Sequence, residues 1–187
     1  MKPWLLNILA CPIDKHHPLD AYFFKWETAE EEMENSLKEA GVPNNKFDNN
    51  YKQLAKQLSD GTISPQAIKR IKDFSDSQKS KGLLAIAVDA IARLQESLEK
   101  CEEELLKEFR QDIDALHRYL NLTEVDTGLL VCPECSRWYP VGSSVETIPE
   151  MLPDDLREEE KDLEWMKKWC DLIPEKILEE GKPFNLK

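Results

Sequence analysis

The chain has 187 residues, 33% of them charged and 41% hydrophobic, with only 6 glycines and 11 prolines. This composition belongs to a helix-rich globular protein and excludes collagenous, low-complexity and wholly disordered classes. Thirty-seven acidic against 25 basic side chains give a formal charge of −12, the wrong sign for unaided binding to a polyanion, so any nucleic-acid role is expected to run through a partner.

The longest apolar stretch, Gly82 to Ala92, is interrupted at Asp89 and is too short to span a bilayer. Met1 to Ala10 carries no small-residue cleavage site, so no secretory leader is expected and the chain reads as cytoplasmic. Cys11, Cys101, Cys132, Cys135 and Cys170 are odd in number and irregular in spacing, which argues against a secreted disulfide framework.

In chain order, Trp4, Leu5, Ile8 and Leu9 share one face of a short N-terminal helix, and the aromatic run Ala21 to Trp26 reads as a strand. Thr28 with Glu31 fits a capping box for a helix carrying Met33, Leu37 and Ala40, ended by Gly41 and Pro43. A second helix runs from about Phe47 to Gly61, and Ser64-Pro65 opens a third with Ile68, Ile71 and Phe74 on one face.

Between Leu83 and Leu120 there is neither Gly nor Pro. Ala87, Ile91, Leu94, Leu98, Cys101 and Leu105 alternate in steps of four and three, and the stripe continues at Phe109, Ile113, Leu116 and Leu120 after an extra step of four. One helix over this stretch would be about 57 Å long and is expected to project or bend. Cys101, on the stripe, is expected to be a small buried hydrophobe, and Cys170 likewise.

Thr127 to Cys132 reads as a strand, followed by a turn at Cys132-Pro133-Glu134-Cys135 and a hairpin of Arg137 to Val141 with Ser144 to Ile148 around Gly142. After Pro153 a last helix is expected, capped by Asp154 or Asp155, with Leu156, Leu163, Met166, Trp169 and Cys170 toward one side. The organisation is therefore α+β: a small antiparallel sheet domain from residues 1–26 and 123–153, an inserted helical domain over 27–122, and a helical tail over 154–187.

Cys132 and Cys135 have the spacing of two thiolates that reach one tetrahedral Zn(II) from a tight turn. A redox dithiol shares the spacing but belongs between a strand and a helix, whereas an aromatic strand follows here. Cys11, in the other Cys-Pro turn, is the third candidate ligand. For the fourth, Asp14 stands where a matching turn would have its second cysteine, His16 or His17 is in reach, and a site that has lost its metal is the remaining alternative. His117 is expected to pack or be solvated rather than act as a base. No Ser/His/Asp set or Gly-rich phosphate loop emerges, which leaves an enzyme poorly supported. Trp4, Leu5, Trp138, Tyr139, Pro140, Ile148, Pro149 and Met151 are more apolar surface than a small split sheet domain can hide, which suggests a partner.

The run Met1-Lys2-Pro3-Trp4-Leu5-Leu6-Asn7-Ile8-Leu9-Ala10-Cys11-Pro12, followed at a distance by Gly128-Leu129-Leu130-Val131-Cys132-Pro133-Glu134-Cys135-Ser136-Arg137-Trp138-Tyr139-Pro140 and Ile148-Pro149-Glu150-Met151-Leu152-Pro153, resembles the small zinc-binding activator subunit shared by several methyltransferases of translation. In eukaryotes that subunit is the non-catalytic partner of tRNA methyltransferases, and the helical insertion is placed as in the longer eukaryotic and archaeal members. The resemblance implies a helper without catalysis of its own. It would form heterodimers with class I S-adenosylmethionine-dependent methyltransferases that modify tRNA, rRNA or a release factor, and meet RNA only through them. It further implies zinc at Cys11, Cys132 and Cys135, with Asp14 or His16 fourth, and a partner surface at the eight apolar residues named above. The competing readings are a zinc-ribbon nucleic-acid module, disfavoured because only Arg137 lies near the Cys132 turn, and a helical adaptor that dimerises through the Ala87 to Leu120 stripe.

Overall fold

The aromatic run near the N-terminus seeds the sheet. In a computed structural model that describes residues 1–145 and 147–187, Asp20–Trp26 forms β1. Successive side chains of a strand point to opposite faces, so Ala21 and Phe23 enter one apolar core while Tyr22 and Phe24 enter another. β3, Val125–Val131, lies antiparallel to β1 with Leu130 opposite Ala21, and β4, Trp138–Val141, lies antiparallel to β3 with Tyr139 opposite Leu130. The two ends of the chain thus meet in one sheet, as the sequence leads one to expect.

The fourth strand comes from elsewhere. Ile71–Asp73, β2, pairs with β1 in parallel, giving the order β2-β1-β3-β4 and a mixed sheet rather than a wholly antiparallel one. The helix expected to carry Ile68, Ile71 and Phe74 stops early: α3 spans only Pro65–Lys69, and the next carbonyl, that of Arg70, is taken by the Ala21 N–H at 3.2 Å. The open edge of β1 captures the chain before another helical turn can form. The expected second hairpin strand, Ser144 to Ile148, includes one position outside the described residues. Around it, the Gly142 N–H donates to the Ile148 carbonyl at 3.2 Å and Val141 bridges Pro149.

A helical layer covers one face of the sheet. α1 spans Glu30–Glu39, α2 Asp48–Ser59, α4 Gln78–Leu94 and α5 Glu102–Leu122. The capping box at Thr28 does not form: Ala29 occupies the cap, and the Thr28 Oγ1 accepts the Glu124 N–H at 2.7 Å, pinning the approach to β3. The single long helix is also corrected. The chain breaks through a short 3-10 turn at Gln95–Ser97, and Cys101 becomes the exposed N-cap of α5 instead of a core residue. Folding α4 and α5 back as a hairpin buries Ala87, Ile91 and Leu94 together with Leu105, Ile113 and Leu116 in one core, where a projecting helix would leave them in water. The slip in the stripe between Leu105 and Phe109 coincides with a kink in α5, where Phe109 has φ −123° and ψ 26°.

Inside this layer Asp114 is fully buried. It accepts from Arg118 Nε at 3.0 Å, from the Tyr51 hydroxyl at 2.6 Å and from the Gly41 N–H at 2.9 Å, joining α5 to α2 and to the end of α1. His117 is buried against the rings of Phe47 and Tyr51, so it packs.

The tail covers the other face. A 3-10 turn at Asp154–Leu156 leads to α6, Glu159–Lys168, and α7, Glu175–Glu180. Asp154, expected as a helix cap, instead receives two bonds from the Arg137 guanidinium, at 3.0 and 2.9 Å, and the helix starts later. Trp165, Met166, Ile173 and Ile177 of the tail pack with Tyr22, Phe24, Leu129, Val131 and Trp138 of the sheet.

Candidate metal centre and docking face

The two Cys-Pro turns have the same local construction. In the first, the Cys11 N–H donates to the His16 carbonyl at 3.0 Å and the Lys15 N–H donates back to the Cys11 carbonyl at 2.9 Å. In the second, the Cys132 N–H donates to the Arg137 carbonyl at 2.8 Å and the Ser136 N–H donates to the Cys132 carbonyl at 3.0 Å. Lys15 and Ser136, both four residues after their cysteine, have φ of 63° and 57°. Each turn therefore aims the side chains of its first and fourth residues the same way, and Asp14 occupies in one the place that Cys135 occupies in the other.

The ligand atoms of Cys11, Asp14, Cys132 and Cys135 all lie within 4.8 Å of one another. Tetrahedral zinc, with Zn–S about 2.3 Å and Zn–O about 2.0 Å, sets two sulfurs about 3.8 Å apart and a sulfur and an oxygen about 3.5 Å apart. Cys11 Sγ is 3.7 Å from Cys135 Sγ, and Cys132 Sγ is 3.3 Å from the nearer Asp14 oxygen. The four residues are thus close enough to hold one metal ion. His16 and His17 lie outside this group: the His17 Nδ1 faces the Leu9 carbonyl at 3.0 Å and the His16 Nδ1 faces Glu134 at 4.0 Å. Cys101 and Cys170 are free thiols away from it, Cys170 half-buried in the tail.

The electrostatics suit a site that a metal must enter by displacing protons. The His16 N–H, then bonds from Cys11 and Cys135, hold the Asp14 carboxyl well below the usual carboxylate range. Burial pushes the Cys132 thiol up to about 12. Burial also raises the Tyr139 phenol, whose oxygen sits 3.1 Å from Cys11 Sγ, placed to donate to a thiolate there. Arg137 beside Cys135 is kept charged chiefly by Asp154. Tyr139 and Arg137 are thus a hydrogen-bonding outer shell, whose part at this centre the cysteine spacing alone does not disclose.

The apolar residues expected at a partner surface divide. Trp4, Leu5, Pro149 and Met151 are half-buried, and Ile148 is 51% exposed. Val145, Leu152 and Leu156 are also exposed, so one loop displays four large aliphatic side chains. Trp138, Tyr139 and Pro140 differ from the expectation of an open rim: the chain itself buries all three. Tyr139 faces the helical layer. Trp138 stacks on Trp165 with ring centroids 5.9 Å apart, lies under the Arg157 guanidinium at 4.2 Å, and donates from Nε1 to the Phe184 carbonyl at 2.8 Å. Sequence periodicity does not reveal this cover, because the tail reads only as a generic amphipathic helix.

A mixed sheet between two helical layers, with Cys-Pro turns from distant parts of the chain closing one cluster of four side chains close enough to hold a metal ion, defines an α+β protein of double-knuckle construction. Residues 2–142 match the family described as Trm112p-like protein, and the chain belongs to that family. At the family level the role is that of a methyltransferase activator subunit in tRNA modification, rather than of a catalytic subunit. No curated protein matches the chain. Among the described residues no helix is long and apolar enough to cross a membrane.

Proposed function

We propose that this chain is the non-catalytic activator and stabilising subunit of cytoplasmic class I S-adenosylmethionine-dependent methyltransferases that modify tRNA, rRNA or a translation release factor. The observation that carries the reading is the pairing of the twin turns at Cys11 and Cys132 inside a family-matched fold, beside a loop that displays Val145, Ile148, Leu152 and Leu156 to solvent. Residues 1–26 and 123–153 serve as the docking unit, 27–122 as an inserted supporting layer and 154–187 as an appended tail. Zinc held by Cys11, Asp14, Cys132 and Cys135 would supply a rigid cross-link between the two ends of the chain, and no step of methyl transfer passes through it.

The accessible partner surface comprises Trp4, Leu5, Ile148, Pro149 and Met151; of the other expected residues, Trp138, Tyr139 and Pro140 are buried in the free chain and back this surface from beneath. The exposed aliphatic loop covers an apolar patch of the enzyme, and by binding only the folded enzyme the subunit raises its stability in proportion to the logarithm of subunit concentration. The charge of −12 favours an enzyme basic enough to bind RNA, so RNA meets the complex through the partner. The helical-adaptor reading loses its basis, because Leu94, Leu116 and Leu120 of the proposed dimer stripe are fully buried within the chain.

Reconstitution tests the reading. The full chain is mixed with class I methyltransferases of the same organism, and complex formation and methyl transfer to tRNA, rRNA and release factor are measured. The expected result is a one-to-one complex whose enzyme is active only with the subunit present. It should be disrupted by Ile148→Asp combined with Leu152→Asp in a variant that melts like the parent. Enzymes equally soluble and active with and without the chain would refute it.

A further inference from the structure

β4 ends the sheet, so its outer edge is where another strand would add. That edge is occupied by the chain itself. The Trp138 N–H donates to the Lys182 carbonyl at 3.1 Å, the Lys182 N–H donates to the Ser136 carbonyl at 3.0 Å, and the Arg157 guanidinium caps the Trp138 carbonyl. Farther along, the Glu150 N–H donates to the Pro140 carbonyl at 2.9 Å. The adjoining face is covered by α6 and α7, with Trp165 and Trp169 on Phe24 and Trp165 on Trp138.

Three observations mark residues 157–187 as separable cover. The segment lies beyond residues 2–142, which carry the family match. Its helices have 10 and 6 residues, too short to persist without the sheet beneath them. Its interface is incompletely satisfied: Trp165 Nε1 and Arg157 Nη2 are buried without a hydrogen-bond partner.

We propose that residues 157–187 are an exchangeable occupant of the docking edge: an extended segment of the methyltransferase takes the place of Lys182 along Ser136 to Trp138, Glu150 keeping its bond to Pro140, and lays an apolar group over Trp138, and the tail leaves to admit it. The proposal rests on the function proposed above. It makes the tail a built-in competitor that lowers apparent affinity by the fraction of molecules in which it is released.

Hydrogen exchange on the full chain, free and bound to the methyltransferase identified by reconstitution, tests it. In the free chain the amides of α6 and α7 should exchange together and at least about tenfold faster than those of β3, as a locally opening unit. On binding, the tail should lose protection while the Trp138 amide, which trades Lys182 for the enzyme segment, gains it. Trp165→Ala combined with Ile177→Ala, which loosens the tail without removing it, should tighten binding about tenfold or more. Truncation after Leu156 should do the same if the shortened chain stays soluble. A tail that keeps its protection in the complex, exchanges in step with β3, or weakens binding when loosened overturns the proposal while leaving the activator role intact. Failure of parent and loosened chains alike to bind any methyltransferase removes both.

Discussion

Replacing Asp114 by Ala should strip three donors of their acceptor at once. Arg118 is only 4% exposed and keeps a single other anionic partner, Glu39, at 2.8 Å, itself 57% exposed and therefore well solvated. The Tyr51 hydroxyl, whose titration burial pushes up to about 12, and the Gly41 N–H lose their bonds as well. Breaking a buried pair by deleting one member costs about 3–5 kcal/mol, because the other charge stays buried. In a chain of this size each kcal/mol lowers Tm by about 2–4 °C, so the variant should melt about 6–20 °C below the parent. Tyr51→Phe, which removes the bond to Asp114 and the one accepted from the Asn44 N–H but leaves the ion pair, should cost about 2–3 kcal/mol. Arg118→Met combined with Asp114→Leu should recover most of the loss, since no charge is then left unpaired. Urea melts with a common slope would give these values directly. An Asp114→Ala cost below about 1 kcal/mol would refute the reasoning, by showing that water reaches Arg118 in solution.

For the metal centre, Asp14→Ala should weaken zinc binding by more than about a hundredfold, beyond the effect of an outer-shell change, while Asp14→Cys retains it, measured by competition with a chromophoric chelator. A loss with His16→Ala instead would move the fourth ligand. Burial lowers the His117 pKa, so the unfolded chain takes up a proton first as pH falls through about 6.5, and stability should decline on acidification there. His117→Phe should flatten that dependence in urea midpoints measured between pH 5 and 8, and an unchanged slope would count against burial of the ring. Gly142 has φ +74°, and a Cβ there would meet the Asp126 carbonyl oxygen at 2.4 Å. Gly142→Ala should therefore cost more in a thermal melt than Gly41→Ala, whose Cβ would enter open space. Cys101→Ser should stabilise by about 0.5 kcal/mol, since Ser caps a helix better than Cys and the position is exposed; a loss would return Cys101 to a packed role.

Local signals were legible where local physics decides. The aromatic alternation of β1, the Pro-started α3 and the cysteine turns all follow from chemistry within a few residues, and each is found where its residues place it. The failures lie where distant groups compete for a residue. Thr28 is taken by the Glu124 N–H before it can cap α1, and Ile71 is drawn to the edge of β1 before α3 can lengthen. Cys101 fits the hydrophobic stripe by spacing, but a 17-residue α4 already covers the sheet, and the stripe is buried more completely by turning back than by continuing. At the site, the identity of the Asp14 position follows from the repeat of the turn. The cover over Trp138 does not, because a tail of alternating charge and tryptophan carries no sign of which face it will meet.

The Cys132 turn and the outer edge of β4 are mechanically one element, because Ser136 and Arg137 close the turn and lead directly into Trp138. The carbonyl of Arg137 closes the Cys132 turn, its guanidinium holds Asp154, and its neighbours Ser136 and Trp138 hydrogen-bond to Lys182. Any event that frees the Cys132 turn must also loosen the start of β4 and the strap laid along it. Release of the strap, by contrast, leaves the turn closed by its own two backbone bonds. The coupling is therefore directional in its consequences: the knuckle sets the position of Ser136 to Trp138, and whatever segment pairs there, from this chain or from an enzyme, meets an edge already fixed. A subunit that stabilises a partner by strand addition requires that order, since an edge that moved with its occupant would return part of the binding free energy as its own ordering cost.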